Sequence, residues 1–447
     1  MADTATPCRA PGLLVSLQMG SLPKLTFLER TPSWLDAPPL RAARELLTEA
    51  QRRAGNALCL LLAFVVASFL MALIQGLFHH FRIFQSSRAD RDGLRSKPQK
   101  RKRWDCSQPI RWENLRVLIT GGTSGIGFEI ARMLCEASVS PGPPRHLTIV
   151  GRDASRLETA KQVLLSSRPK AAQGSDSGHQ PVIETIQADV STPGGVARVF
   201  GNKRETYDVV ICCAGGALPG YFEEFTVEEF RAQMECNYMS AALVAQAAFR
   251  EWKREVLEAI VAEHTHRRGD VRIRVPYCSE RPRHIVFFSS MAAFAAIFGY
   301  SAYAPAKYAL RGLAETLVYE GRPYGIGVSV VFPPDTLTRG FDVENRRKPP
   351  ATRACTEMSA GAALPADEVA RVTLRGITKR KFWITFGLGG YLMGALNAGF
   401  APGNFGVLSI ALLPILRCVV AYYVVRFHRL IARDTERRLR DEIRQSI

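Results

Sequence analysis

The chain has no CxxC pair and no cysteine–histidine cluster at metal-ligand spacing, although it carries 10 cysteines and 8 histidines among 447 residues. Structural zinc and dithiol redox chemistry therefore drop out, and no metal site is expected. Cys212 and Cys213 are adjacent within an apolar run, which suits reduced, buried thiols in a reducing compartment. Cys8 lies far from the rest and leaves a disulfide open. Acidic residues are also in deficit: 41 Asp and Glu against 59 Lys and Arg give a formal net charge of +18. Such an excess suits nucleic acid, anionic lipid or an anionic substrate. No nucleic-acid recognition motif is present, and the cations flank apolar segments, so lipid is favoured. Residues 1–30 lack a compact cationic start followed by an apolar core, so no cleaved signal peptide is expected. No internal repeat occurs. A hydrophobic content of 47% with a mean hydropathy of -0.03 is too low for a polytopic membrane protein and high for a soluble one, so the apolar excess must be local.

Residues 57–78 hold that excess, with Ser68 and Gln75 as the only polar side chains. A membrane helix needs about 20 such residues, so a transmembrane helix is expected over 55–78. Residues 1–54 read as a poorly ordered extension. Residues 79–112 form a basic juxtamembrane linker that includes Lys100-Arg101-Lys102-Arg103. That asymmetry places the following chain in the cytosol and suits contact with anionic headgroups. Residues 377–447 form a second membrane-associated region. Its stretch 382–400 is Gly-rich and apolar, and its run 405–425 contains Pro414 and Arg417. A charge inside an apolar span is costly, which leaves a spanning helix, a re-entrant hairpin and an interfacial segment all open. The tail 426–445 alternates Arg with acids around Leu430, Ile431, Leu439 and Ile443, the pattern of an amphipathic helix on a membrane surface or a partner.

Between these flanks, residues 113–376 alternate strands with helices. Runs rich in Val and Ile at 115–119, 147–150, 182–188, 208–212, 284–288 and 326–332 are apolar enough to be buried on both faces. Helical patterns fall at 128–137, 154–165 and 304–319. The long charged stretch 250–283 reads as a helix extension followed by an exposed loop. Strand–helix alternation implies an α/β fold with a Rossmann-type, doubly wound parallel sheet.

Three groups of residues point to chemistry. The turn Thr120-Gly121-Gly122-Thr123-Ser124-Gly125-Ile126-Gly127 follows a strand and opens a helix. Glycines there admit a pyrophosphate against the backbone, and the helix N-terminus offers free N–H groups. The second strand ends in Val150-Gly151-Arg152. A carboxylate at position 151 would grip a ribose 2′-hydroxyl, whereas Arg152, with Arg156 one turn on, suits a 2′-phosphate and hence NADP(H). Asp153 beside them fits a helix cap. Finally, Tyr303-Ala304-Pro305-Ala306-Lys307 sets Tyr and Lys on one helix face, and Ser290 at a strand end lies 13 residues before the Tyr. A ketone that gains hydride must also gain a proton. A phenol can supply it, a nearby ammonium can lower the phenol's pKa, and a hydroxyl can hold the carbonyl oxygen.

Together these motifs resemble the short-chain dehydrogenase/reductase superfamily over about residues 115–341. The resemblance implies that Ser290, Tyr303 and Lys307 do the chemistry and that Asn237 holds a proton-relay water, with Ser289 a lesser candidate for the substrate-binding hydroxyl. It implies cofactor contacts from Gly121, Thr123, Ser124, Gly125, Ile126, Gly127, Arg152, Arg156, Asp189, Val190, Ala214, Gly215, Tyr303, Lys307, Pro333, Thr336 and Thr338. Two departures stand out. Cys212-Cys213-Ala214-Gly215 occupies the place of the family's Asn-Asn-Ala-Gly, so the local bracing of the sheet must differ. Pro305 replaces a small residue, in the first helical turn where a missing N–H costs least.

Pro333-Pro334-Asp335-Thr336, Glu344-Asn345-Arg346-Arg347-Lys348-Pro349 and Arg311-Gly312-Leu313-Ala314-Glu315 resemble the branch of that superfamily that reduces 3-ketosphinganine. That branch is anchored in the endoplasmic reticulum membrane, faces the cytosol and uses NADPH. The expectation is therefore an NADPH-dependent reductase of a long-chain lipid ketone. Reduction of a 3-ketoacyl-CoA or a steroid, and a non-catalytic membrane scaffold, are the alternatives. The oligomeric state stays open, a homo-oligomer included.

Overall fold

A computed structural model describes residues 108–136, 142–168, 180–201, 205–265, 281–360, 363–398 and 407–446. The expected extension over 1–54, the transmembrane helix over 55–78 and the basic run up to residue 107 lie outside the described residues. So does the part of the basic insert at 266–280.

Seven parallel strands form the main sheet, in the order β3-β2-β1-β4-β5-β6-β9. They are β1 (Arg116–Thr120), β2 (His146–Gly151), β3 (Val182–Gln187), β4 (Val209–Cys212), β5 (Arg283–Phe288), β6 (Ile326–Val331) and β9 (Trp383–Ile384). β7 (Thr336–Leu337) and β8 (Leu364–Pro365) pair separately. Every strand expected from the Val- and Ile-rich runs is present, within a residue or so of its expected ends.

The period of two along each strand splits the core into two layers. Val117, Ile119, Val209, Ile211 and Val286 face one side. There they meet α1 (Gly125–Cys135), α2 (Ala154–Ser166) and α9 (Ala366–Thr378), through side chains such as Leu134, Leu164 and Leu374. Leu118, Val210, Cys212, Ile285 and Phe287 face the other side. They meet α3 (Pro193–Phe200), α5 (Ser240–Thr265) and α6 (Tyr303–Gly321), through Val199, Val244, Trp252 and Leu310. Strands buried on both faces follow from helices on both faces.

Two boundaries differ from expectation. Ile110 and Trp112, assigned to the linker, are buried. The Ile110 N–H donates to the Thr378 carbonyl at 2.8 Å, and Trp112 Nε1 donates to Thr378 Oγ1 at 2.9 Å. At the other end, β9 pairs with β6 through Val330↔Trp383 and Val331↔Ile384. Residues 382–386, assigned to the membrane-associated region, therefore complete the sheet. A two-residue strand leaves no periodic signal, and its buried aromatics mimic a membrane segment.

α4 (Val227–Met234) precedes a π-helical turn, Glu235–Met239, that leads into α5. α5 reaches Thr265, which is the expected helix extension. Beyond β6 come α7 (Arg339–Arg347), α8 (Pro350–Ala360), α10 (Gly387–Asn397) and α11 (Val407–Ser446). α11 is one continuous helix, so the apolar run and the amphipathic tail share an element and no hairpin turn interrupts them. Among the described residues, no helix is long and apolar enough to cross a membrane.

Asp208 ties the strand starts together. Its carboxylate accepts from the Arg116 N–H at 2.7 Å, its N–H donates to the Arg116 carbonyl, and its carbonyl accepts from the His284 N–H. Burial pushes its pKa up to about 6, against the pull of the Arg116 N–H. A raised carboxylate pKa stabilises the fold below the ordinary carboxylate range, and that contribution is lost as pH climbs through 6. Urea unfolding should therefore show Asp208→Asn gaining on the wild type between pH 4 and pH 7, by roughly 2–3 kcal/mol. A stability difference that does not vary with pH would contradict this assignment.

Candidate active site

The sheet order reverses between β1 and β4, and the crevice outside their carboxyl ends is where α/β sheets bind ligands. The glycine turn lies there. Gly121 adopts φ +69°, and a Cβ on it would fall 2.8 Å from Ala214 Cα. A Cβ on Gly127 would sit 2.5 Å from the Gly121 carbonyl oxygen. Both glycines are thus fixed by close backbone approach, and the turn keeps the empty cradle that a pyrophosphate requires. Ser124 stands at the N-cap of α1 without spending its side chain on the helix. Ile126 packs against the core below. Thr338, on the strand-end loop opposite, points its methyl at Gly125, where an added Cβ would meet it at 3.2 Å.

Cys213 stands in place of an asparagine, and its sulfur packs against the turn, 3.4 Å from where a Cβ on Gly127 would sit. The Ala214 N–H donates to Thr120 Oγ1 at 3.3 Å. These two contacts brace the ends of β1 and β4 against the turn, by a different route from an amide.

The proposed chemical residues converge at the end of β5. The Ser290 hydroxyl stands close enough to the Tyr303 phenol to act on its pKa, and its Oγ accepts from the Ala292 N–H at 3.2 Å. Lys307 Nζ donates to the Phe288 carbonyl at 2.9 Å and lies 5.5 Å from the Tyr303 ring centre. Burial raises the Tyr303 pKa, as do the charges of Glu344 and Asp335, while the nearby Ser290 hydroxyl opposes them. Burial also pushes the Lys307 ammonium down to about 8, so it remains largely charged at neutral pH. The phenol accordingly stays protonated at neutral pH, as a proton donor must.

Asn237 is buried in the π-helical turn. Its Oδ1 accepts from the Gly216 N–H at 3.1 Å, and its Nδ2 donates to the carbonyls of Gly216 and Gln233 at 2.9 and 3.0 Å. Gly215 lies between it and the lysine: a Cβ there would be 2.6 Å from Asn237 Oδ1 and 3.3 Å from Lys307 Nζ.

Ser289 requires a correction. It is buried, and its hydroxyl donates to the Lys307 carbonyl at 2.8 Å. It braces α6 and does not face the substrate. Adjacent strand-end residues point in opposite directions, so only one of the two serines can face the site.

The cofactor corner is partly as expected. Gly151 faces Thr123, whose methyl would be 2.8 Å from an added Cβ, so an acidic side chain at 151 would collide with the turn. Arg152 is exposed and acts electrostatically on Asp189. The Asp189 carboxylate accepts from the Ser191 N–H and hydroxyl at 3.0 and 2.7 Å, and those bonds lower its pKa. Val190 is buried in the core layer that holds Leu118 and Val210. Asp153 caps α2 by accepting from the Arg156 N–H, and the Arg156 guanidinium pairs with it at 3.4 Å. Arg156 is therefore engaged, and Arg152 is the better-placed cation. Pro333 accepts from the Met291 N–H, and Thr336 turns its hydroxyl onto the Pro334 carbonyl.

Sequence reasoning missed one group. The Tyr300 ring lies 5.8 Å from the Tyr303 ring, and its phenol donates to Glu344. Lys348 pairs with Glu344 at 3.1 Å and with Asp335 at 3.6 Å. The four-residue spacing of Glu344 and Lys348 was the available signal.

The profile of the family described as short chain dehydrogenase matches residues 116–262 and 275–348. The 3-dehydrosphinganine reductase of Danio rerio is 32% identical over 333 residues, covering 73% of this chain and 88% of the relative. The 3-ketodihydrosphingosine reductase of Dictyostelium discoideum is 31% identical over 309 residues, covering 68% of this chain and 84% of the relative. A solved short-chain dehydrogenase from Sphingobium yanoikuyae, in complex with NADPH, aligns over 60% of this chain and 86% of its own, with 23% identity and a TM-score of 0.45.

The cradle itself is testable. Gly127→Ala forces α1 away from the turn, and dinucleotide affinity should fall at least about tenfold in a fluorescence titration while the protein stays folded. Wild-type affinity in that variant would remove the turn from the binding site.

Proposed function

The chain belongs to the short-chain dehydrogenase family, and on that footing we propose that it reduces 3-ketosphinganine to sphinganine with NADPH. The observation that carries the reading is the convergence of Ser290, the Tyr303 ring and a buried Lys307, whose ammonium lies 5.5 Å from that ring and is tied to the Phe288 carbonyl at the end of β5. Relatives that bear the name of this reductase match the chain over most of their length.

The residues fit the cofactor. Gly121 and Gly127 leave room for the pyrophosphate, the α1 N-terminus faces it, and Arg152 with Gly151 suits a 2′-phosphate. Bound NADPH supplies hydride to the ketone carbon. Ser290 then holds the carbonyl oxygen, and Tyr303 gives it a proton as negative charge builds there. The Lys307 ammonium stabilises the phenolate left behind. Asn237, fixed by three main-chain partners, holds the relay that returns a proton to the tyrosine.

We further propose that the protein sits in the endoplasmic reticulum membrane with this domain facing the cytosol. The apolar run 57–78 and the basic residues after it support that placement. A long-chain ketone partitions into lipid, which gives a tether a purpose, and the basic linker suits anionic headgroups.

Purified full-length protein in detergent should oxidise NADPH with 3-ketosphinganine and do so faster than NADH. Tyr303→Phe should lose at least about a hundredfold in turnover while NADPH affinity is kept. No NADPH consumption with this ketone, or near-normal turnover by Tyr303→Phe, would overturn the proposal.

A further inference from the structure

Two carboxylates share one buried ammonium beside the proposed catalytic tyrosine. The Lys348 side chain is 1% exposed. It meets Glu344 at 3.1 Å and Asp335 only at 3.6 Å, and its ammonium lies 4.4 Å from the Phe341 ring centre. Glu344 is 14% exposed and has the Tyr300 phenol as a second partner. Asp335 is 30% exposed, and its carboxylate has no partner other than Lys348 among the described residues. The interior of this group therefore carries one more negative charge than positive.

Asp335 and Lys348 also line a cavity of about 520 Å³. Arg346, Arg353 and Glu357 stand on that cavity too, but all three are exposed. Their charges are screened by water far more than those inside. Both Asp335 and Glu344 are felt at the Tyr303 phenol, and the Tyr300 ring, 5.8 Å from that of Tyr303, joins the phenol to this group through its own bond to Glu344. Lys307 holds the opposite charge at the β5 end.

A 2-amino-3-ketone carries its ammonium one carbon from the carbonyl. Once the carbonyl oxygen meets Tyr303 and Ser290, the cation has to lie within a few bonds' reach of them. Lys307 repels such a cation, whereas the carboxylates attract it, and one of them is incompletely paired. We infer that Asp335, backed by Glu344, is the residue that recognises the substrate's ammonium group and so selects 2-amino ketones from other lipid ketones. The inference rests on the functional reading above. It gives Lys348 the task of holding Glu344 and leaving Asp335 its vacancy for a second cation.

The test compares 3-ketosphinganine with 1-hydroxyoctadecan-3-one, which lacks the amine, in the same detergent with NADPH. Wild-type kcat/KM should favour the amino ketone by at least tenfold, mainly through KM. In Asp335→Asn that ratio should collapse toward unity, whatever the absolute rates. Equal kcat/KM for the two ketones in the wild type, or an undiminished ratio in Asp335→Asn, would overturn the inference while leaving the reductase reading standing. Turnover of neither ketone by the wild type would overturn the reductase reading instead. Should Asp335→Asn fail to fold, the wild-type comparison still decides, as does inhibition by sphinganine against N-acetylsphinganine: equal potency would contradict an ammonium site.

Discussion

The arrangement depends on how the first turns of α6 are fastened to the end of β5. Lys307 is held at both ends: its ammonium donates to the Phe288 carbonyl, and its own carbonyl accepts from the Ser289 hydroxyl. Those two bonds, both buried, set the helix at a fixed height above the strand. Tyr303, one turn earlier, is thereby brought to Ser290, the residue after Ser289. A buried ammonium is costly unless hydrogen-bonded, so Lys307 is fixed as firmly as it fixes its surroundings. The adjacent serines divide the work, one bracing the helix and the other facing the site.

Around that fastening, charge of both signs bears on the phenol. Lys307 supplies positive charge toward Gly215 and the glycine turn. Burial keeps the phenol protonated, and the negative charges of Glu344 and Asp335 add to that effect. The rim is tied to the C-terminal helix as well. The Tyr221 phenol donates to Asp434 at 2.8 Å, and Arg438 pairs with Glu223 at 2.8 Å while lying over the Tyr221 ring. Tyr221 also meets Phe298, on the loop between Ser290 and Tyr303. The distal half of α11 thus holds the two loops that flank the site.

The sheet was legible in the sequence because five of its strands (β1, β2, β4, β5 and β6) are buried on both faces and read as nearly continuous apolar runs, while the edge strand β3 keeps enough Val and Ile to show. The turn, Ser290, Asn237 and the Tyr–Lys pair were legible because their chemistry demands particular residue types at particular spacings. β9 was hidden, since two residues carry no period and Phe382 and Trp383 look the same in a core as in a bilayer. Ser289 could not be told from Ser290 without knowing which way the strand end points. The role of Cys213 was also hidden, because a thiol packed against Gly127 carries no sequence signature. Of the Tyr300–Glu344–Lys348–Asp335 group, only the four-residue spacing of Glu344 and Lys348 was visible, since Tyr300 and Asp335 join it through contacts between residues far apart in the chain.

The most direct test of the central claim is a single-turnover measurement of hydride transfer in wild-type protein and in Lys307→Met, with NADPH and 3-ketosphinganine both saturating. Methionine fills most of the buried volume but removes the ammonium that ties β5 to the helix and stabilises the phenolate. The account predicts a fall of at least about a hundredfold in the transfer rate, with the folded protein still present by thermal melting. Transfer at close to the wild-type rate would contradict it.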